Sequence, residues 1–198
     1  MAPTGRIVRN ALADADIKKF EELVGIFKSQ GQTYRFDWRM LMAQAYQESQ
    51  FDQTKRGPRG AVGIMQVLPS TAASKPFGFS GIDKDVNRNV QAGSAILRYL
   101  IDVCIGDDPA VDERNRTLFA FAGYNAGQGN LAKFREVARK EGLNPNVWFG
   151  NVEVAAAQVV GIGTVQYVDN IYKYFIAYSL YAERAAASGS ARERGAIP

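Results

Sequence analysis

The sequence has no histidine and a single cysteine, Cys104, in 198 residues. An internal disulfide, a histidine zinc site and every histidine-based catalytic triad are therefore excluded. Acid–base chemistry near neutral pH is left to carboxylates, lysine, tyrosine or the one thiol. Cys104 follows Leu97, Leu100 and Ile101 at helical spacing, so we expect it to be buried in the core.

The chain also has little excess charge and no long apolar run. Its 24 Lys and Arg residues against 20 Asp and Glu give a net charge of +4. So small an excess is better explained by solubility than by attraction to a polyanion. There is no dense Lys/Arg stripe or nucleic-acid motif, so nucleic acid is not an expected partner. No apolar run approaches the roughly 20 residues that span a bilayer, and the first residues lack the apolar core of a secretory signal.

Strand alternation and internal repeats are missing, whereas helical spacing recurs along most of the chain. The sequence predicts one mostly α domain over residues 15–184, after a flexible segment at 1–14 and before a disordered tail at 185–198. The predicted helices span 16–27, 37–49, 89–104, 113–126, 130–141, 152–160 and 164–187. Glycine and proline break the pattern between 52 and 69, where we expect a long loop.

Glu48 is the first candidate for acid–base chemistry. It lies seven residues after Leu41 and three after Ala45, so a helix places it in line with apolar residues. Burial would disfavour the charged carboxylate and raise its pKa, as a general acid near neutral pH requires. Periodicity alone favours the alternative, a glutamate at a helix end that faces solvent.

The loop at 60–69 combines close glycines, an apolar run and one amide. Gly63 lets the backbone approach a ligand, Met65 offers an apolar surface to a sugar face, and Gln66 can hydrogen bond a hydroxyl or acetamido group. In the alternative interpretation the apolar members fill the core, which accounts poorly for Gln66.

Tyr124 and Asn125 lie between small residues at a predicted helix end, where both can reach into a cleft. The segment 125–127 alone is an ordinary helix C-cap. Tyr167 either packs in the core or directs its phenol at a carboxyl group.

Taken in order, these segments resemble the motifs of lytic transglycosylases of the soluble lytic transglycosylase (SLT) type. The likeness covers residues 36–168, and its wording is closest to the catalytic domain of the membrane-bound lytic transglycosylase F group. Gln47–Phe51 resembles the family's Glu-Ser motif, Gly60–Ala72 its Gly-Leu-Met-Gln motif, Asn89–Leu100 an intervening helix, and Ala122–Gly127 its Ala-Tyr-Asn-Ala-Gly motif. In one departure, Gly163-Thr164 stands where the family often has Glu-Thr.

The resemblance implies a lysozyme-like α fold and cleavage of the β-1,4 bond between N-acetylmuramic acid and N-acetylglucosamine in peptidoglycan strands, without water. Glu48 would act as general acid and then as base, leaving 1,6-anhydro-muramic acid ends. The implied substrate-binding residues are Ser49, Gly63, Met65, Gln66, Tyr124, Asn125 and Tyr167. No cofactor or metal is implied.

The resemblance also implies work in the cell envelope or periplasm, with association to the cell wall or outer membrane. An export signal outside this sequence, or carriage on a phage particle, would bring the enzyme there, and the sequence leaves both routes open. It carries no signal for an oligomeric state.

Two other functions stay open. A lysozyme-like muramidase, which is a hydrolase, needs a second carboxyl group, and Asp52, Asp83 and Asp85 are the nearby candidates. A noncatalytic wall-binding protein would show a degenerate site, whereas Glu48 and its neighbours are intact.

The segment 83–89 imitates the start of a calcium loop but lacks the required glycine and glutamate, so we expect no calcium there.

Overall fold

The computed structural model describes residues 14–195, and within them the chain forms eight α-helices and no β-sheet. The mostly α architecture predicted from helical periodicity is therefore confirmed. The helices are α1 (Asp14–Tyr34), α2 (Trp38–Ser49), α3 (Pro69–Ala73), α4 (Val86–Cys104), α5 (Glu113–Ala126), α6 (Gln128–Lys140), α7 (Glu153–Val160) and α8 (Ile162–Gly195). A π-helical segment, Trp148–Val152, precedes α7, and two isolated β-bridges lie in the loop between α2 and α3.

Aspartate caps set the starts of three helices. The side chains of Asp37, Asp85 and Asp112 accept hydrogen bonds from backbone N–H groups in the first turns of α2, α4 and α5, at 2.9, 3.1 and 2.7 Å. Because Asp85 caps α4, that helix begins at Val86 rather than at residue 89 as predicted.

The last helix is longer than predicted, because α8 continues through residues 185–195. The predicted helix ended at residue 187, whereas α8 ends at Gly195, and disorder of the tail at 185–198 stays a prediction. The predicted flexible segment 1–14, except for Asp14 at the start of α1, and residues 196–198 lie outside the described residues. Among residues 14–195, no helix combines the length and apolar character that membrane crossing requires.

Helices α2 and α5 run through the middle of the core. Leu41 and Met42 on α2, and Phe119 and Phe121 on α5, are fully buried. Helix α2 packs against α1 and α8, while α5 packs against α4, α6 and α8.

Cys104, expected in the core, is only half-buried at the end of α4, and its partial burial raises the pKa of the thiol.

A cluster of aromatic rings joins α1, α2 and α8. Phe20 lies 4.7 Å from Tyr178, and Tyr46 lies 5.3 Å from Phe51, between ring centroids. Tyr46 is also 4.8 Å from Tyr174 on α8. The cluster therefore fixes the C-terminal end of α2, where Glu48 lies, against its neighbouring helices.

Candidate active site

Glu48 occupies the last turn of α2 and is partly buried. Its burial raises the pKa of the carboxyl group to about 7, although a hydrogen bond from Tyr167 and the positive charge of Lys55 both act to lower it. The carboxyl group is therefore divided between its neutral and charged forms near neutral pH. Such a group can give up a proton and take one back.

Tyr167 on α8 donates its phenolic hydrogen to Glu48 Oε1 at 2.6 Å. The ring is 7% exposed, and burial together with the charge of Glu48 raises the pKa of the phenol well above its ordinary value. Tyr167 therefore stays protonated and remains a donor. Of the two roles considered for it, the structure shows the phenol directed at a carboxyl group.

Sequence reasoning missed two residues that contact this pair. Gln44, fully buried one turn before Glu48 on the same helix, donates from Nε2 to the Tyr167 hydroxyl at 3.1 Å. Lys55 donates from Nζ to the backbone carbonyl of Glu48 at 2.5 Å. The four-residue spacing from Glu48 was the signal for Gln44, since it places both side chains on one helix face. Lys55 lies in a loop, where spacing carries no such signal.

The chain leaves α2 through two residues in the left-handed region. Gln50 has φ 57° and Phe51 has φ 62°, and the N–H of Gln50 donates to the carbonyl of Tyr46 at 2.8 Å. Phe51 is held in the aromatic cluster, which compensates the strain of this conformation. The loop that follows is thereby turned back over the end of α2.

Ser49 and Met65 do not present their side chains to the cleft. Ser49 is 4% exposed, and its hydroxyl donates to the carbonyl of Ile64 at 2.7 Å. Met65 is fully buried, and its sulfur lies where a β-carbon on Gly93 would be only 2.7 Å away. Met65 therefore does not present an apolar surface to a sugar in this structure. The structure supports the alternative interpretation, in which Met65 fills the core.

Gly63 and Gln66 shape the loop from within. Gly63 has φ 78°, and a β-carbon there would lie 2.2 Å from Nδ2 of Asn89, so no other residue fits. Gln66 donates from Nε2 to the carbonyls of Gly63 at 2.8 Å and Lys55 at 3.2 Å. The amide of Gln66 therefore closes the loop on itself while part of the side chain stays exposed.

Two further amides that sequence reasoning did not single out for a role anchor the loop. Asn89, fully buried on α4, accepts from the N–H of Met65 at 2.8 Å and donates to the carbonyls of Val62 and Ile82, both at 2.9 Å. Gln53 also donates to the carbonyl of Ile82, at 2.9 Å. A buried asparagine on the apolar face of a helix was the available signal.

Tyr124 and Asn125 bring the end of α5 to the site. Tyr124 donates to the carbonyl of Met65 at 2.9 Å, and burial and the charge of Glu48 raise the pKa of its phenol. Asn125 is exposed, and its Oδ1 accepts from the hydroxyl of Thr164 at 2.9 Å. Gly163, next to Thr164, is exposed with open space where a side chain would project.

The carboxyl groups considered for a second role are engaged elsewhere. Asp52 is exposed and accepts from the N–H and hydroxyl of Thr54 at 2.8 and 2.7 Å, which lowers its pKa. Asp85 caps α4, and Asp83 lies 4.0 Å from an arginine. Between residues 14 and 195, no group of three His, Cys, Asp or Glu side chains is arranged to hold a metal ion.

The family model described as Transglycosylase SLT domain matches residues 25–146, more than half of the sequence. The chain belongs to the transglycosylase SLT domain family. Tyr167, the donor to Glu48, lies beyond the matched segment.

Relatives of this SLT domain include proteins named membrane-bound lytic murein transglycosylase F. The one from Pseudomonas fluorescens (strain Pf-5) is 36% identical over 122 residues, covering 62% of this chain and 24% of the relative. The one from Shewanella loihica is 32% identical over 154 residues, covering 70% and 31%. The chain thus spans less than a third of the length of these relatives.

A solved structure shares the fold of this SLT domain. It is an inactive mutant of lytic transglycosylase Slt from Pseudomonas aeruginosa, with a TM-score of 0.61 and 24% identity, covering 80% of this chain and 24% of that one. The lysozyme-like fold expected from the sequence is confirmed.

Proposed function

We propose that this SLT domain is a peptidoglycan lytic transglycosylase that cleaves the β-1,4 bond between N-acetylmuramic acid and N-acetylglucosamine without water. The observation that carries the proposal is the single carboxyl group of Glu48, which is partly buried, accepts a hydrogen bond from Tyr167 and has its pKa raised to about 7. The names of the relatives support the same reaction.

Glu48 acts twice in the proposed reaction. Its neutral carboxyl group protonates the bridging oxygen as the bond to C1 of the muramic acid breaks. The resulting carboxylate then takes the proton of the C6 hydroxyl of the same sugar, whose oxygen attacks C1 and closes the 1,6-anhydro ring. The proton returns to Glu48, so one group serves both steps, and Tyr167 stabilises the carboxylate between them.

A hydrolase would instead use a second carboxyl group to act on water or on the sugar. Asp52 is turned to Thr54, and no other carboxylate among the described residues contributes to the pKa of Glu48. This arrangement supports the transglycosylase over the muramidase.

We assign substrate contacts to Asn125, which is exposed, and to Tyr124 and Gln66, which are partly exposed. Ser49, Gly63 and Met65 contribute from beneath by holding the loop backbone in place. The names of the relatives include the words membrane-bound, which supports work in the cell envelope; carriage on a phage particle is the alternative.

Mass spectrometry of digested peptidoglycan tests the proposal. We expect fragments that end in 1,6-anhydro-muramic acid, one water lighter than hydrolysis products. Fragments with reducing muramic acid ends would identify a muramidase, and a wall-binding protein would release no fragments. The solved relative is an inactive mutant with glutamine in place of a glutamate, so Glu48→Gln is the natural control here.

A further inference from the structure

Gln44 is an unusual residue for the place it occupies. Its side chain is fully buried among the core residues of α2, where burying an amide costs stability unless its groups are hydrogen bonded. Nε2 reaches the Tyr167 hydroxyl at 3.1 Å, and Oε1 is buried without a hydrogen-bond partner in the described part of the chain. An aliphatic side chain of the same size would fill the space at lower cost.

The three groups Gln44, Tyr167 and Glu48 form a chain of hydrogen bonds with one direction. A phenol has a single hydrogen to donate, and Tyr167 gives it to Glu48 Oε1 at 2.6 Å. Contact with Gln44 can therefore exist at the same time only if Gln44 donates. The amide nitrogen, rather than its oxygen, must face Tyr167 whenever the carboxylate accepts.

Donation by Gln44 has two consequences for the carboxyl group. Accepting a hydrogen bond makes the Tyr167 hydroxyl a better donor, which strengthens its bond to Glu48. It also occupies an acceptor site on the phenolic oxygen, so Tyr167 is not free to turn and accept from Glu48. With Oε1 engaged by Tyr167, the proton of the neutral acid is left on Oε2.

We propose that Gln44 is a positioning residue that fixes the direction of the hydrogen bond from Tyr167 and so keeps the acidic proton of Glu48 on its other oxygen. A role of Gln44 in catalysis rests on the proposed function, whereas the effect of Gln44 on the carboxyl group of Glu48 does not depend on that function.

The test is an NMR titration of the Glu48 carboxyl carbon, assigned by its loss in Glu48→Gln. Replacing Gln44 with methionine weakens a hydrogen bond that favours the carboxylate, so we expect the pKa of Glu48 to rise by about half a pH unit. Tyr167→Phe removes the donor itself and should raise the pKa further. In the double variant Gln44 has nothing to act through, so the pKa should equal that of Tyr167→Phe alone.

Gln30→Met is the matched control. Gln30 is also buried, donates one hydrogen bond, to Asn87 at 3.1 Å, and has an unpartnered Oε1. Gln30→Met should leave the pKa of Glu48 unchanged, whatever it does to the melting temperature. Gln44→Leu provides a second variant should the methionine protein fold poorly.

An unchanged pKa of Glu48 in folded Gln44→Met or Gln44→Leu would overturn the proposal, and so would additive shifts in the double variant. In an active enzyme, the alkaline limb of kcat/KM should move upward with the pKa of Glu48, since the neutral form is the acid. Because the titration needs no substrate, it judges Gln44 even if the digestion products reveal a different reaction.

Discussion

The two ends of helix α2 have opposite effects on the charge of a carboxyl group: the first favours the charged form and the second disfavours it. At the start, Asp37 accepts from the N–H of Arg39 and forms a 2.6 Å ion pair with the same arginine. At the end, Glu48 is partly buried, and its hydrogen-bond donor is the neutral phenol of Tyr167. The helix dipole favours a negative charge at the first position and disfavours it at the second. The comparison separates a carboxylate that stabilises the fold from one held ready to be protonated.

The two ends of α2 also differ in the number of charged groups that surround them. The start of α2 borders a cavity of about 1000 Å³ with many charged groups on its walls. Several of those groups are engaged with one another: Arg98 pairs with Asp102 at 2.6 Å, and Arg116 donates to backbone carbonyls of the loop before α5. At Glu48 the hydrogen bond from Tyr167 and the positive charge of Lys55 only partly offset the effect of burial on the pKa. Chemistry is therefore expected at Glu48, where burial still raises the pKa, rather than at this cavity.

The largest expected effect on activity comes from removing the carboxyl group of Glu48. Glu48→Gln keeps the shape but has no proton to exchange, so release of glycan fragments should fall by about a thousandfold or more, since both proton transfers are lost. Turnover of purified peptidoglycan, with circular dichroism to show an intact fold, measures this.

Asp52→Asn is the control for that variant, because it neutralises an exposed carboxylate four residues further along the chain. We expect a change smaller than about twofold. A loss comparable to that of Glu48→Gln would indicate a second catalytic carboxyl group and contradict the single-carboxyl mechanism.

The next prediction concerns stability and pH. Burial raises the pKa of Glu48 from 4.5 to about 7, so the folded protein binds this proton more tightly than the unfolded chain. This tighter proton binding contributes fully to the free energy of unfolding below about pH 4.5, and the contribution is lost as the pH rises through 7. By pH 8 or above, the free energy of unfolding should be lower by about 3 kcal/mol.

Urea unfolding of the wild type and Glu48→Gln from pH 4.5 to 8 measures that cost. The wild type should lose stability relative to the variant as the pH rises, the reverse of the usual behaviour of a salt-bridged carboxylate. A difference that is independent of pH would mean that Glu48 is not desolvated in the folded state.

A smaller effect is expected from the loop over the end of α2. Gly63→Ala combines positive φ with a β-carbon 2.2 Å from Asn89, and should destabilise the protein by about 2 kcal/mol or more. Gly60 has φ 82° but open space around it, so Gly60→Ala should cost about 1 kcal/mol. Thermal unfolding compares the two, and equal losses would show that contact with Asn89 does not set the loop.

The smallest effect belongs to the other end of the helix. Asp37→Ala removes the cap and the ion pair with Arg39, and should cost about 1 kcal/mol of stability. The turnover of folded enzyme and its alkaline limb should stay as in the wild type. A shift of that limb would mean that the two ends of α2 are electrically coupled.

The sequence was most informative where a residue's role depends on its own helix. Spacing predicted the helices, but periodicity alone favoured a solvent-facing Glu48, whereas in the structure burial raises the pKa of its carboxyl group. Met65 was harder, because an apolar residue between glycines suits either a ligand or the core. Only the packing against Gly93 decides between them.

Contacts between distant segments could not be obtained from spacing. The donation from Tyr167 to Glu48 joins residues 119 positions apart, and the bond from Thr164 to Asn125 joins residues 39 apart. Asn89 holds backbone groups that are adjacent only after folding.

The inward hydrogen bonds of the loop at 52–68 also bear on ligand binding. Asn89, Ser49 and Tyr124 hold its backbone from three helices before any ligand arrives. The conformational entropy of this segment is lost when the protein folds, so little remains to be lost on binding. A glycan strand would then meet a preorganised surface, and its affinity would depend mainly on the exposed side chains at the rim.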